Sequence, residues 1–106
     1  MSTAKFTLHS GACMPAIGLG TWKVPAELTQ TTVASALRVG YRHLDCAPVY
    51  GNQAQVGAAL TAALSTGMCT RDELFIASKL MTYQLAPDAF ADAVKQSLWE
   101  LGVTYL

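Results

Sequence analysis

The sequence predicts an α/β fold: a short antiparallel hairpin, then strand–helix units that build a parallel sheet. Three observations carry this. Short apolar runs alternate with stretches of helical period three times over, the pattern of βαβ units. The second and third runs, YRHLDCA at 41–47 and ELFIASK at 73–79, carry apolar residues on both faces, as strands of a sheet covered on both sides require. Proline or glycine opens or closes the helical stretches. At 106 residues, one domain is expected.

Each element has its own signal. KFTLHSGACMPAIG, 5–18, reads as two extended segments around Ser10-Gly11. AIGLGTW, 16–22, is a short apolar run with two glycines, the first strand of the sheet. Pro25 suits the first turn of a helix over AELTQTTVASALRV, with Val33, Ala34 and Leu37 inward and Gly40 as its end. After the second strand, Val56, Ala59, Leu60, Ala63 and Leu64 fall at i, i+3, i+4, i+7 and i+8, one apolar stripe, with Gly67 as the stop. After the third strand, Pro87 and Asp88 open a helix with Phe90, Val94, Leu98 and Leu101 on one side and Gly102 at its end. VTYL then begins a further strand.

Composition narrows the function classes. The chain carries 7 Lys+Arg against 7 Asp+Glu, which argues against nucleic acid or an anionic membrane surface as the main partner. Hydrophobic residues make up 52% and charged residues 13%, the latter about half the usual share of about 25%. Such a chain is core-rich and has more apolar surface than it can cover alone. No run of about 18 apolar residues occurs, so no transmembrane helix is expected. The N-terminus lacks the apolar stretch of a signal peptide. Cys13, Cys46 and Cys69 form no CxxC pair. Reduced thiols in the cytoplasm are therefore expected, with no disulfide framework and no metal site.

In parallel α/β folds, function gathers at the carboxyl ends of the strands. Here those ends are Gly20-Thr21-Trp22, then Asp45 with Tyr50 in the following loop, then Ser78-Lys79. A carboxylate, a phenol and an amine are thus expected to converge from separate segments. An ordinary tyrosine, with a pKa of about 10, gives up its proton reluctantly. A neighbouring ammonium favours the phenolate, and a carboxylate keeps that ammonium charged and in place. The set suits a general acid acting on a carbonyl oxygen that gains negative charge. Taken singly, each residue has a structural reading: a solvated strand-end lysine, an aspartate paired with Arg42, a half-buried loop tyrosine. Trp22 follows two glycines, where backbone can approach a ligand closely, and its indole can wall a pocket or fill a core. His9 reads as incidental, His43 as packed within a strand, and Cys46 as a packed thiol.

Four stretches give the sequence a family likeness: MPAIGLGTWK at 14–23, GYRHLDCAPVYGNQAQVGAAL at 40–60, LFIASKL at 74–80 and SLWELGVTYL at 97–106. Through them the chain resembles the N-terminal part of an aldo-keto reductase. The resemblance implies the N-terminal portion of a (β/α)8 TIM barrel with a hairpin closing its bottom and about three βα units, so that 1–106 is a partial domain. It implies binding of NADPH, usually in preference to NADH. Tyr50 matches the family's general acid, Lys79 the group that lowers its pKa, and Asp45 the partner of the lysine. Gly20, Thr21, Trp22 and Lys23, with Asp45, match cofactor contacts. Trp22, Val49 and Tyr50 match the substrate pocket. The family's fourth catalytic group, a histidine, follows VTYL by about six residues and lies past Leu106. Gln53 and Gln55 stand where the family often has glutamates, a change expected to alter only the surface of the second helix. Met81 replaces a frequent tryptophan near the pocket, which bears on substrate range.

The function so implied is NADPH-dependent reduction of aldehydes or ketones to alcohols, with a small carbonyl compound as substrate. A whole barrel is expected to be a monomer, and a chain ending at Leu106 to self-associate through its open sheet edge. The alternative is a truncated, inactive fragment or a non-catalytic binding protein of the same family. A third reading, a barrel enzyme forming a Schiff base on Lys79, leaves Tyr50 and the Gly-Thr-Trp segment unexplained.

Overall fold

The structure, a computed structural model, describes residues 4–106. A hairpin comes first. Strand β1 (Lys5–Thr7) pairs antiparallel with β2 (Cys13–Pro15), placing Phe6 opposite Met14. Its turn lies at Ser10-Gly11, closed by the Leu8 N–H donating to the Ala12 carbonyl at 2.8 Å. Strands β3 (Leu19–Gly20), β4 (His43–Asp45) and β5 (Phe75–Ala77) then run parallel in that order. Each is followed by a helix: α1 (Ala26–Val39), α2 (Gln53–Ser65) and α3 (Pro87–Leu101). These are the three βα units expected of a barrel's N-terminal portion.

The two-residue period of a strand decides which side chains meet the helices. Leu19 lies beside Leu44 and Leu44 beside Ile76. This row turns toward the helices and joins Val33, Leu37, Val56, Leu60 and Leu101 in the core. The next row, Gly20 beside Asp45 beside Ala77, turns to the opposite face and stays partly open. Cys46 resumes the helix-facing row and is fully buried.

Helix ends follow the glycines. Gly40 takes φ 113, its N–H donating to the Leu37 carbonyl at 3.2 Å and the Tyr41 N–H to that of Ala36 at 2.9 Å. This is a Schellman closure, which favours a residue without a Cβ. The other two helices close by the same bond pattern at Gly67 and Gly102.

Four details depart from expectation. Pro25 stands one position before α1, and the buried face is Thr29, Val33, Ala36 and Leu37. Thr29 can hide because its hydroxyl donates to the Pro25 carbonyl at 2.8 Å. In α3 the buried side is Ala93, Ser97 and Leu101, whereas Phe90 is exposed and Val94 and Leu98 are half-buried. The cause is a close approach of α2 and α3: a Cβ on Gly57 would fall 2.1 Å from the Glu100 carbonyl oxygen. Small side chains occupy that seam, whereas Phe90 and Val94 line a groove with Leu80 and Leu106 beside the segment that follows β5. VTYL forms no strand. Arg71 stacks 3.8 Å over the Tyr105 ring and donates to the Tyr105 carbonyl at 2.6 Å, taking an acceptor a ladder would use. Finally, Gln53 is not on the helix surface but 2% exposed, and Gln55 is half-buried. Among the described residues, no helix is long and apolar enough to cross a membrane.

Candidate active site

Asp45 ends β4 on the face turned away from the helices. Residues 75, 77 and 79 share one side of an extended chain, so Lys79, two residues beyond β5, reaches the same face at the same end. Its ammonium donates to Asp45 Oδ1 at 2.8 Å and to the Cys46 carbonyl at 3.0 Å. Tyr50 arrives on a 3-10 turn, Pro48–Tyr50, which starts on a proline and closes at Gly51 with φ 71. The Tyr50 ring centroid lies 5.0 Å from Lys79 Nζ. A carboxylate at one strand end, a phenol in the loop after it and an amine past the next strand therefore meet at one place.

Partial burial alone would lower the Lys79 pKa. The bond to Asp45 and its charge, with the nearby Tyr50 hydroxyl, outweigh it and raise the pKa above the ordinary lysine value of 10.5. The ion pair is about half exposed, 47% for Lys79 and 48% for Asp45. Such pairs contribute only about 0–1 kcal/mol to stability. Its chemical effect is to keep a cation against a phenol.

The first βα loop flanks this group. Thr21 is buried, and both its hydroxyl, at 2.8 Å, and its N–H, at 3.1 Å, donate to the Asp45 carbonyl. Trp22 and Val49 are exposed, at 65% and 63%. Lys23 takes a left-handed φ of 63, and its ammonium sits 4.7 Å from the Trp22 ring centroid. Gly20 leaves the face open beside Asp45: an added Cβ would meet nothing within 4 Å.

Two side chains behind the site are buried: Asn52, not singled out in the sequence, and Gln53, expected on the surface of the second helix. Asn52 precedes α2 but does not cap it. Its Nδ2 instead donates to the carbonyls of Thr21 at 2.9 Å and Val24 at 3.1 Å, tying the Tyr50 loop to the Trp22 loop. Gln53 bonds Ser78, Ser97 and Glu100. The available signal was their place directly after Tyr50-Gly51.

The other candidates are structural. Burial pushes the Cys46 thiol up to about 11, with Asp45 adding to the rise and the Thr21 hydroxyl and Lys79 opposing it. A thiol held neutral in this way is a packing group. His43 lies at the opposite end of β4 from Asp45, its ring 4.9 Å edge-on from Phe75 and its Nδ1 3.0 Å from the Pro15 carbonyl oxygen. His9 is exposed in the hairpin.

Residues 16–106 match the model of the Aldo/keto reductase family. The chain belongs to this family. An aldo/keto reductase of Synechocystis is 46% identical over 101 residues, 95% of this chain and 31% of the relative. Aldo-keto reductase family 1 member A1 of Rattus norvegicus is 42% identical over 107 aligned positions, 100% of this chain and 33% of the relative. Among solved structures, the Bombyx mori aldo-keto reductase in complex with NADP superposes with a TM-score of 0.92 at 32% identity, covering 100% of this chain and 36% of that one. The aldose reductase of Schistosoma japonicum gives 0.91 at 39% identity, with 98% and 35% covered. The chain thus spans about a third of the length of the curated aldo-keto reductases it matches, and its fold is that of the N-terminal portion of their barrel.

Proposed function

We propose that this chain supplies the proton-donating side of an NADPH-dependent aldo-keto reductase site that reduces aldehydes or ketones to alcohols. The observation that carries the reading is the Lys79 ammonium, bonded to Asp45 at 2.8 Å and 5.0 Å from the Tyr50 ring centroid. Tyr50 holds a proton at its hydroxyl and delivers it to the carbonyl oxygen as charge develops there. Lys79 keeps positive charge at the phenol, and Asp45 keeps Lys79 oriented. A related structure contains NADP, and the residues here fit the nicotinamide end of such a dinucleotide. Gly20 leaves open space beside Asp45, and Trp22 and Lys23 form an exposed rim with a flat ring and a cation, with Thr21 buried behind it. When bound, the dinucleotide supplies the hydride. Trp22 and Val49, both exposed on this rim, are available to line the substrate side. The balanced charge and unpaired thiols fit a cytoplasmic setting.

Lys79→Met tests the reading in a barrel completed around this chain. Turnover of an aromatic aldehyde falls by about 10²–10⁴-fold, with NADPH binding by fluorescence quenching nearly unchanged. Turnover within a few-fold of the parent would remove Lys79 from the chemistry.

A further inference from the structure

Behind the site, the first turn of α2 holds a side chain that the proton-donating set does not use. Gln53 is 2% exposed and engages both ends of its amide. Its Oε1 accepts from the Ser78 hydroxyl at 2.6 Å. Its Nε2 donates to Ser97 Oγ at 3.2 Å and to Glu100 Oε1 at 3.0 Å, both on α3. Ser78 is the residue before Lys79. The chain has left β5 by this point, since the strand ends at Ala77. The Lys79 stem is flexible and half exposed, so its ammonium is only as well placed as the backbone from which it springs.

We propose that Gln53 is a positioning residue for Lys79: by tying Ser78 to α2 and α3, it sets where the ammonium meets Asp45 and Tyr50. An amide is the group this position calls for. It must accept from a hydroxyl on one side and donate to a carboxylate on the other, and an amide presents a separate acceptor and donor without charge. A carboxylate here would face Glu100 at hydrogen-bond distance and repel it. An apolar side chain would leave the Ser78 and Ser97 hydroxyls without this partner. The inference builds on the proposed role of Lys79, but its test reads geometry and not turnover, so either can fail without the other.

The readout is the ring-current shift of the Lys79 side chain over Tyr50, followed by NMR on the 106-residue chain with isotope-labelled lysine. The chain has four lysines, Lys5, Lys23, Lys79 and Lys95, and Tyr50→Leu identifies the shifted signal by abolishing its shift. In Gln53→Leu the Lys79 methylene signals move toward free-lysine positions while the other three lysine signals stay. Gln53→Glu does the same, and adding Glu100→Gln restores the parent shift, because amide and carboxylate have exchanged places. A packing role would lower the Tm of the variants and leave the Lys79 shift intact, and that result overturns the proposal. So does a Gln53→Glu/Glu100→Gln pair that folds without restoring the shift. Should Gln53→Leu not fold, the exchanged pair decides alone.

Discussion

At the residue scale, Lys79 and Cys46 show how one neighbourhood handles charge in two ways. Lys79 keeps its charge because Asp45, with Tyr50 beside it, compensates its partial burial. Cys46, fully buried beside it, keeps its proton because a thiolate there would lose its water. The sign of the stability effect follows. A folded pKa of about 11 against an ordinary 9.0 means the folded chain retains a proton that the unfolded chain releases. Stability from this group is complete below about pH 9 and is lost as pH rises through 11. With each pKa unit worth 1.36 kcal/mol, the loss is about 3 kcal/mol. Cys69, also buried and raised, acts in the same direction. Urea unfolding midpoints should therefore fall steeply between pH 8 and 11, and less so in Cys46→Ala. A parent midpoint that stays flat across that range would contradict the burial argument. The meeting of Asp45, Tyr50 and Lys79 was legible in the sequence because two of them stand at or just past strand ends and Tyr50 in the loop between, at the end of the sheet where such groups gather. Gln53 was not, since a glutamine in the first turn of a helix looks solvated until the neighbouring helix closes over it.

At the element scale, that closure depends on Gly57. Helix propensity favours alanine over glycine there by about 1 kcal/mol. The seam opposes it, because a Cβ would meet backbone of α3, the Glu100 oxygen at 2.1 Å and Leu101 Cα at 2.9 Å. Backbone of a packed helix cannot swing aside as a side-chain tip can. Overpacking costs about 1–3 kcal/mol, so Gly57→Ala should destabilise the chain on balance, by chemical denaturation, and loosen the Gln53–Glu100 contact. A stabilised Gly57→Ala chain would show that the seam has room. Most of the element order could be read from periodicity, proline and glycine. The rotation of α3 could not: of its apolar stripe of Phe90, Val94, Leu98 and Leu101 only Leu101 is fully buried, and the seam admits Ala93 and Ser97 beside it. VTYL, read as a strand, forms none, and its Tyr105 carbonyl accepts from Arg71, distant in sequence.

At the scale of the whole molecule, three parallel strands form an open sheet. Its inner face, where Asp45 and Lys79 sit, is half exposed, and β5 borders an apolar groove. A (β/α)8 barrel needs about 250 residues to enclose its site. Residues 1–106 by themselves should accordingly show no NADPH-dependent turnover, since little would hold a dinucleotide near Tyr50 and the advantage of positioning is lost. The central claim is that these residues carry the proton donor of a reductase. The most direct test replaces the matching third of rat aldo-keto reductase family 1 member A1 with residues 1–106 and follows NADPH oxidation with an aromatic aldehyde. The chimaera should turn over, whereas its Tyr50→Phe form should lose activity by at least about 10²-fold while still binding NADPH. Activity of the Tyr50→Phe chimaera within tenfold of its parent would contradict the claim.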